Sequence, residues 1–135
     1  MTLSFSAQVS DIVRRNEAKC DALIKMSVQD VIEDAQTDVG HGGRMRKDTG
    51  FLQVSGQISL SGMPSGPERG DPNGNYSYND ANIQLTLSGV KAGDTIYFGW
   101  TAAYAAPREF YDGFLSGAVQ KWQAIVNKYA AELMK

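Results

Sequence analysis

The first third of the chain carries one long pattern of apolar residues at helical spacing. Between residues 6 and 36, apolar side chains recur at steps of three and four, no Gly or Pro interrupts the run, and Ser4 or Ser6 can cap its start. The pattern predicts a helix over 6–36, roughly 45 Å long. Its apolar face consists of Val9, Ile12, Val13, Cys20, Leu23, Ile24 and Val31. Cys20 is therefore expected to be a small buried side chain.

Three further apolar residues of this helix lie away from the main stripe. Val28 and Ile32 fall at the edge of the stripe, and Met26 falls outside it. The helix is also long for so small a domain. We therefore expect the stripe to form core and a neighbouring molecule to cover Met26, Val28 and Ile32.

The middle of the chain alternates apolar and polar residues, which is typical of half-buried strands. The alternation predicts strands over 57–61, 81–88 and 95–100. Because only the short turn 89–93 separates the last two, we expect them to pair as an antiparallel hairpin. The helices would then cover one face of this sheet.

Two Gly-rich loops separate these elements. Residues 37–49 contain a short basic cluster, and residues 62–80 contain many Gly and Pro. Loops as long as the second are uncommon inside compact domains and are often functional. Because the loop lacks core residues, deletion of residues 64–74 is expected to leave folding nearly intact. The candidate interface residues in the two loops are Arg44, Arg46, Lys47, Pro64, Pro67, Arg69, Tyr76 and Tyr78.

The end of the chain predicts a second long helix, over 112–134. Pro107 is expected to break or begin a helix just before it. The apolar residues follow one continuous stripe, which we expect to pack on the sheet as core. They are Phe114, Leu115, Ala118, Val119, Trp122, Ile125, Val126, Tyr129 and Leu133. The whole pattern predicts one α+β domain over 1–135, with roughly three to four antiparallel strands packed against the two terminal helices.

Composition narrows the possible functions. The 135 residues carry 13 basic and 15 acidic side chains, a net charge of -2, which gives no overall attraction to nucleic acid or an anionic membrane. One cysteine excludes an intramolecular disulfide, and one histidine, His41, excludes a site of two histidines in one chain. The N-terminus lacks the features of a signal peptide and no segment is apolar enough to span a membrane, so we expect a soluble cytoplasmic protein.

Two candidate sites for chemistry remain, each with a simpler interpretation. Asp48-Thr49-Gly50 is the catalytic triplet of aspartic proteases, which need two such carboxylates and hence a dimer of this chain. A cap on a short helical turn that begins near Asp48 or Thr49 is the simpler interpretation. The aromatic residues could line a ligand pocket, but their position where a strand leads into the last helix favours core and interface packing. They are Trp100, Tyr104, Phe110, Tyr111 and Phe114. We expect no cofactor, no metal and no catalysis.

The order of motifs points to a known family. A basic Gly-rich loop leads into a segment that contains Asp48, Thr49, Gly50, Leu52 and Ser55, and a later segment contains Tyr104, Glu109 and Phe110. This order resembles the neck and tail-completion proteins of long-tailed, lambda-like phages (the putative minor tail component family). Their Asp-Thr-Gly-x-Leu-Arg-x-Ser segment precedes the sheet, and their Tyr-Ala and Glu-Phe/Tyr-Gly segments precede the last helix. Here Gln53 replaces the Arg, and Tyr111-Asp112-Gly113 displaces the glycine.

The resemblance implies a structural virion protein without enzymatic activity or cofactor. Such proteins form a ring, usually a hexamer, at the junction of head and tail. The implied partners are further copies of the chain, connector, adaptor or stopper proteins, and tail tube or tail terminator proteins. Genomic DNA would pass through the lumen without sequence-specific binding, and no membrane is involved. Two alternatives remain: a small ligand- or peptide-binding module with the aromatic residues as its pocket, and a dimeric aspartic hydrolase that uses Asp48.

Overall fold

The structure, a computed structural model, describes residues 4–133. Over this range the chain is rich in α-helix, with long helices towards both ends and one antiparallel sheet of two strands, β1 and β2. The α+β prediction is confirmed to this extent, but the described residues form two strands, not the three or four expected. The elements are α1 (Phe5–Gln36), α2 (Phe51–Val54), β1 (Gly56–Ser59), α3 (Ala81–Ser88), β2 (Tyr97–Trp100), α4 (Ala105–Asp112), α5 (Phe114–Val119) and α6 (Trp122–Leu133).

Helix α1 confirms the helix predicted over 6–36. Ser4 caps it, because its hydroxyl accepts a hydrogen bond from the backbone N–H of Ala7 at 3.1 Å. The 32 residues of α1 make a rod about 48 Å long. Because nothing in the sequence interrupts the rod, it extends well beyond the length of any other element.

The segment 81–88, predicted as a strand, is helix α3, so the predicted hairpin is wrong. Its alternating apolar residues also fit a helix, in which Ile83 and Leu87 lie one turn apart and face the same way. Both are buried, at 5% and 3% exposure, whereas Leu85 between them is 74% exposed. Asn79 accepts a hydrogen bond from the N–H of Ala81 at 2.7 Å, which satisfies a free donor at the start of α3.

The sheet joins β1 to β2 across a long stretch of sequence. The strands are antiparallel, with Gly56 opposite Trp100 and Ser59 opposite Tyr97. The long loop extends this sheet, since the N–H of Glu68 donates to Thr101 O and Glu68 O accepts from the N–H of Ala103, each at 2.7 Å. The loop predicted over 62–80 is therefore hydrogen-bonded to the body at Glu68. The effect of removing residues 64–74 on folding stays a prediction.

The C-terminal segment is helical, as predicted, but it forms α4, α5 and α6 in place of one continuous helix over 112–134. Gly113 has φ +65°, a left-handed conformation that separates α4 from α5. Helix α6 packs mainly against α1, whereas the stripe was predicted to pack on the sheet. The two run antiparallel, since Lys121 Nζ contacts Asp34 at 2.7 Å and Tyr129 Oη donates to Asp30 at 2.7 Å. Met134 lies outside the described residues.

The core consists of two clusters of buried apolar residues. The first joins α1, α3 and the turn after it through Ile32, Ile83, Leu87 and Val90. The second joins the basic loop, α2 and α5 through Met45, Leu52, Ala102 and Phe114. Val28 packs against the first cluster, so Val28 and Ile32 are core residues, which corrects their prediction as interface residues. Cys20, predicted to be buried, is exposed.

A buried network of polar side chains fixes the end of α1 to the sheet and α2. Gln36 Nε2 donates to Gln53 O at 3.0 Å, and Gln53 Nε2 donates back to Gln36 O at 2.9 Å. The indole N–H of Trp100 donates to Gln36 Oε1 at 2.9 Å. Because each of these buried groups has a partner, the network holds the C-terminal end of α1 in one position.

Candidate assembly site

The Asp-Thr-Gly segment forms a tight turn that leads into α2. Thr49 begins the turn, and its hydroxyl accepts a hydrogen bond from the N–H of Phe51 at 3.3 Å. Gly50 has φ +89°, and a Cβ there would lie 2.4 Å from Tyr76 O. Only glycine fits this position without a shift of the backbone. The N-cap position of α2 is Gly50, so neither Asp48 nor Thr49 caps the helix as predicted, although the Thr49 hydroxyl bonds to the N–H of Phe51, the first residue of α2.

The following motif residues connect this turn to the core. Leu52 is 3% exposed and belongs to the second core cluster. Ser55 is buried, its hydroxyl donates to Leu52 O at 2.8 Å, and its carbonyl accepts from the N–H of Thr101 at 3.2 Å. Leu52 and Ser55 therefore hold α2 against the end of β2.

Tyr104 lies beside this turn at the edge of a cavity of about 300 Å³. Burial raises the pKa of the Tyr104 phenol, although a hydrogen bond with Thr49 opposes the shift. The cavity is open and lined partly by basic side chains. Its lining residues are Arg46, Lys47, Asp48, Gly50, Leu52, Gln53, Tyr104 and Arg108.

Glu109 caps helix α5 from the preceding helix. Its two carboxylate oxygens accept hydrogen bonds from the backbone N–H groups of Leu115 and Ser116, at 2.8 and 2.9 Å. Partial burial raises the pKa of Glu109, but these two hydrogen bonds outweigh burial and hold that pKa below its usual value. The negative charge at the start of α5 also fits the direction of the helix dipole.

The five aromatic residues of the predicted ligand pocket do not come together. Trp100 and Phe114 pack edge to face in the core, with ring centroids 4.8 Å apart. Phe110 and Tyr111 form a separate edge-to-face pair at 5.2 Å on the outside of α4, where they are 82% and 73% exposed. Tyr104 alone lines the cavity. The aromatic residues thus divide into core, cavity and outer surface.

The basic cluster is paired with acidic residues of other elements. Arg44 contacts Asp34 of α1 at 3.4 Å, and Arg46 contacts Asp112 of α4 at 3.9 Å. Lys47 is exposed at the rim of the cavity. The cluster therefore connects α1, α4 and the loop 37–49, and most of its charge is neutralised within the chain.

The candidate residues of the loop 62–80 lie in different surroundings. Tyr76 packs against Phe51 with ring centroids 5.2 Å apart, and its N–H donates to Thr49 O at 2.8 Å. Burial raises the pKa of Tyr78, which packs against the first core cluster. These two residues therefore hold the loop in place. Pro64 is half-buried beside Gly99, whereas Pro67 and Arg69 are exposed.

Two apolar surfaces that lie outside the predicted list of interface residues are exposed. The first, here the tip surface, lies on the N-terminal half of α1 and consists of Phe5, Val9, Ile12 and Val13, which are 82%, 42%, 56% and 47% exposed. The second, here the α4–α6 surface, consists of Phe110, Tyr111, Leu115, Val119 and Trp122, of which the last three are 38%, 53% and 37% exposed. The sequence predicted six of these residues as core, namely Val9, Ile12, Val13, Leu115, Val119 and Trp122, and it predicted Phe110 and Tyr111 to take part in core and interface packing. The one sequence signal is the predicted length of the first helix, which is long for so small a domain. In the structure α1 has 32 residues and α6 has 12. Met26, expected at an interface, is half-buried.

Comparisons with models of protein families, with curated proteins and with solved structures find no match. Between residues 4 and 133, no helix combines the length and apolarity needed to cross a membrane. The same range contains no group of three or more His, Cys, Asp or Glu side chains placed to hold a metal ion.

Proposed function

We propose that this protein is a structural, non-catalytic component of a tailed phage virion, which forms a ring at the head–tail junction and joins the connector to the tail. The tip surface is the observation that carries the proposal. Among the residues that the structure describes, it leaves four large apolar side chains exposed near the N-terminal end of α1. Exposed apolar surfaces of this kind mark interaction sites.

The order of sequence motifs supports the same proposal. The residues that resemble the neck protein family hold the turn before α2, the end of β2 and the start of α5 in one arrangement. A structural unit of this kind presents loops and helices for assembly and needs no reactive group. The proposed partners are further copies in a hexameric ring, the connector, adaptor or stopper proteins on one side, and the tail tube or tail terminator proteins on the other.

The charge of the chain fits a ring through which DNA passes. The net charge of -2 gives the lumen no strong attraction for the phosphate backbone. DNA would then move through without sequence-specific binding, and no membrane takes part. The protein would occupy the host cytoplasm during assembly and the virion afterwards.

The experiment mixes the purified protein with the head connector of the same phage. Light scattering after size-exclusion chromatography should show a complex with several copies of the chain, and negative-stain images should show a ring with a central opening. Mass spectrometry of purified virions should detect the protein in several copies. A protein that is absent from virions and does not bind the connector would overturn the proposal.

The cavity beside Tyr104 favours a second candidate function, a small ligand- or peptide-binding module. Its volume of about 300 Å³ and its mixed lining of Tyr104, Leu52 and Arg108 suit a small anionic ligand with an apolar part. A thermal-shift screen of metabolite classes tests this function, since a ligand that binds only the folded state raises the Tm. The dimeric aspartic hydrolase is tested separately with the Asp48→Asn variant. If Asp48 is the catalytic carboxylate, this variant should lose hydrolytic activity, and unchanged activity would contradict that function.

A further inference from the structure

Strand β1 has a partner on one edge only among the residues that the structure describes. The sheet has two strands, and β1 pairs with β2, with Gln57 opposite Gly99. On the far side of β2, the loop residue Glu68 bonds to Thr101 and Ala103. The edge of β2 is thus partly covered, whereas no described segment pairs with the other edge of β1.

The register of the sheet shows which backbone groups of β1 point away from β2. The N–H of Thr101 donates to Ser55 O at 3.2 Å, which places Ser55 in a hydrogen-bonded position. Because these positions alternate along an antiparallel pair, Gln57 also bonds to β2, and the N–H and C=O groups of Gly56 and Ile58 point outward. No other backbone hydrogen bond over residues 4–133 involves these groups. They are therefore ready to pair with a further strand.

A groove of about 680 Å³ runs along this edge, between residues 56–58 of β1 and helix α3. Gln57 and Ile58 both line it, although consecutive side chains project to opposite faces of a strand. Its lining includes no residue of β2 in the part of the chain that the structure describes. The groove, here the edge groove, therefore lies beside the open edge of β1 and not over one face of the sheet.

The lining of the edge groove is partly apolar and carries no charge. Val54, Ile58, Ile83 and Leu85 supply apolar surface, and Leu85 is 74% exposed. The polar lining residues are Ser, Thr, Asn, Gln and Tyr, which are neutral at pH 7. A charged side chain in the groove would lose water without gaining an opposite charge, so the lining suits a neutral segment.

Neither end of the described range lies at the edge groove. Lys121 of α6 contacts Asp34, and Ser88 at the end of α3 accepts a hydrogen bond from Lys25. Asp34 and Lys25 are about two and a half turns apart on α1, so α6 and α3 lie on opposite sides of that helix. Ser4 lies roughly 30 Å before Lys25 along the same helix. The ends at 4 and 133 are therefore both remote from the groove.

We infer that the edge groove binds an extended segment of a partner protein, which adds a third strand beside β1. The backbone of the segment exchanges hydrogen bonds with Gly56 and Ile58, and every second side chain packs between Ile58 and Leu85. The segment alternates apolar and uncharged polar residues, because successive side chains meet the apolar lining and then the opposite face of the sheet. The inference does not depend on the proposed ring.

A synthetic peptide tests the inference on the full chain. The probe has about seven residues, alternates Thr and Val between terminal Lys residues, and is acetylated and amidated. We expect NMR titration to give a Kd of roughly 0.1–1 mM. With the probe bound, hydrogen exchange should slow at least about threefold at the amides of Gly56 and Ile58 and change little at Gln57, which already bonds to β2. No saturable binding at about 5 mM probe would overturn the inference.

Two N-methylated versions of the probe show whether backbone pairing holds it. One is methylated on the Val nitrogens and the other on the Thr nitrogens, so their side chains are the same. Alternate N–H groups of a strand point to the same side, so one version should bind like the probe and the other at least about tenfold more weakly. Equal affinity of the two versions would contradict strand addition.

A pair of variants tests the position of the probe. Leu85→Arg places a charge in the edge groove, and Val119→Arg is the matched control on α5, where the side chain is 53% exposed and lies outside the groove. Circular dichroism confirms that both are folded. We expect Leu85→Arg to weaken probe binding at least about tenfold and Val119→Arg to leave it unchanged. Equal affinities of the two variants would place the probe elsewhere and overturn the inference.

Hydrogen exchange without the probe distinguishes the other possible occupants of the edge. Slow exchange at Gly56 and Ile58 in dilute protein would show that the chain itself covers the edge. Exchange at these amides that slows with rising protein concentration would show that a second copy pairs there. Either result would overturn the inference, and binding to the connector would still decide the proposed function separately.

Discussion

The two halves of α1 carry similar patterns of apolar residues, but other helices cover the C-terminal half while the apolar residues of the N-terminal half are exposed. In the C-terminal half, Ile32 and Ala35 are 4% and 1% exposed, because α3, α5 and α6 pack against it. In the N-terminal half, Ile12 and Val13 are 56% and 47% exposed. Both halves repeat apolar residues at helical spacing. The pattern thus identifies the apolar face of a helix, but the length and position of its neighbours decide whether that face becomes core or surface.

The same substitution made in each half of α1 tests the difference in burial between them. Ile32→Ala removes a side chain from the first core cluster and should lower the free energy of unfolding by about 2–5 kcal/mol. Ile12→Ala should change it by no more than about 0.5 kcal/mol, since the side chain is exposed and Ala favours helix more than Ile. Urea unfolding at low protein concentration measures both. Equal losses in the two variants would mean that the N-terminal half is covered within the chain.

The second prediction concerns the polar network at the C-terminal end of α1. Gln36→Leu leaves the indole N–H of Trp100 and the carbonyl of Gln53 without their partner. Because both groups lie inside the protein, we expect a loss of about 1–3 kcal/mol.

Gln29→Leu is the matched control for Gln36→Leu on the same helix. Its amide contacts only Glu33 at the surface, so the loss should stay within about 0.5 kcal/mol. Urea denaturation with fluorescence detection compares the two. If Gln36→Leu is as stable as the control, water or a shifted side chain satisfies the buried groups.

The third prediction tests the cap of α5, one of the helices that cover α1. The pKa of Glu109 is depressed in the folded state, so its stabilisation is present above its ordinary value of 4.5 and is lost as the pH falls through the folded pKa. Glu109→Gln should therefore be less stable at pH 7 by about 0.5–1 kcal/mol, and this difference should shrink below pH 4. Thermal unfolding of both proteins from pH 7 to pH 3 measures it. A difference that stays constant with pH would show that the charge of Glu109 contributes nothing.

The sequence predicted those elements whose signals are local. It identified α1 from its uninterrupted period, the short turn of helix at α2, and the strand residues around Ile58 and Phe98. It failed at α3, because Ile83 and Leu87 satisfy the period of a strand and of a helix, while Asn79 before the segment and Gly89 after it favour the helix. Strand pairing depends on distant segments, so the partner of β2 was missed.

The sequence predicted which residues belong to the candidate site, but not how they are arranged in space. The sequence placed Glu109 and Tyr104 in a motif, yet the bonds from Glu109 to α5 and the position of Tyr104 beside Thr49 depend on how α4 packs. It also took Val9, Ile12 and Val13 for core, because no local signal shows that α6 ends before it reaches them. Which surface is left uncovered is a property of the packed elements and not of any one segment.

The smallest expected effect is a gain in stability, and it tests how well the C-terminal half of α1 is packed. Ser27 is fully buried on α1, and its hydroxyl has no hydrogen-bond partner among the residues that the structure describes. A buried polar group without a partner is destabilising, and Ala also favours helix more than Ser. Ser27→Ala should therefore raise the free energy of unfolding by up to about 1 kcal/mol, which chemical denaturation can resolve with replicate curves. A loss instead would mean that the hydroxyl bonds to a buried water, and the covered half would then contain a hydrated site between α1 and its neighbours.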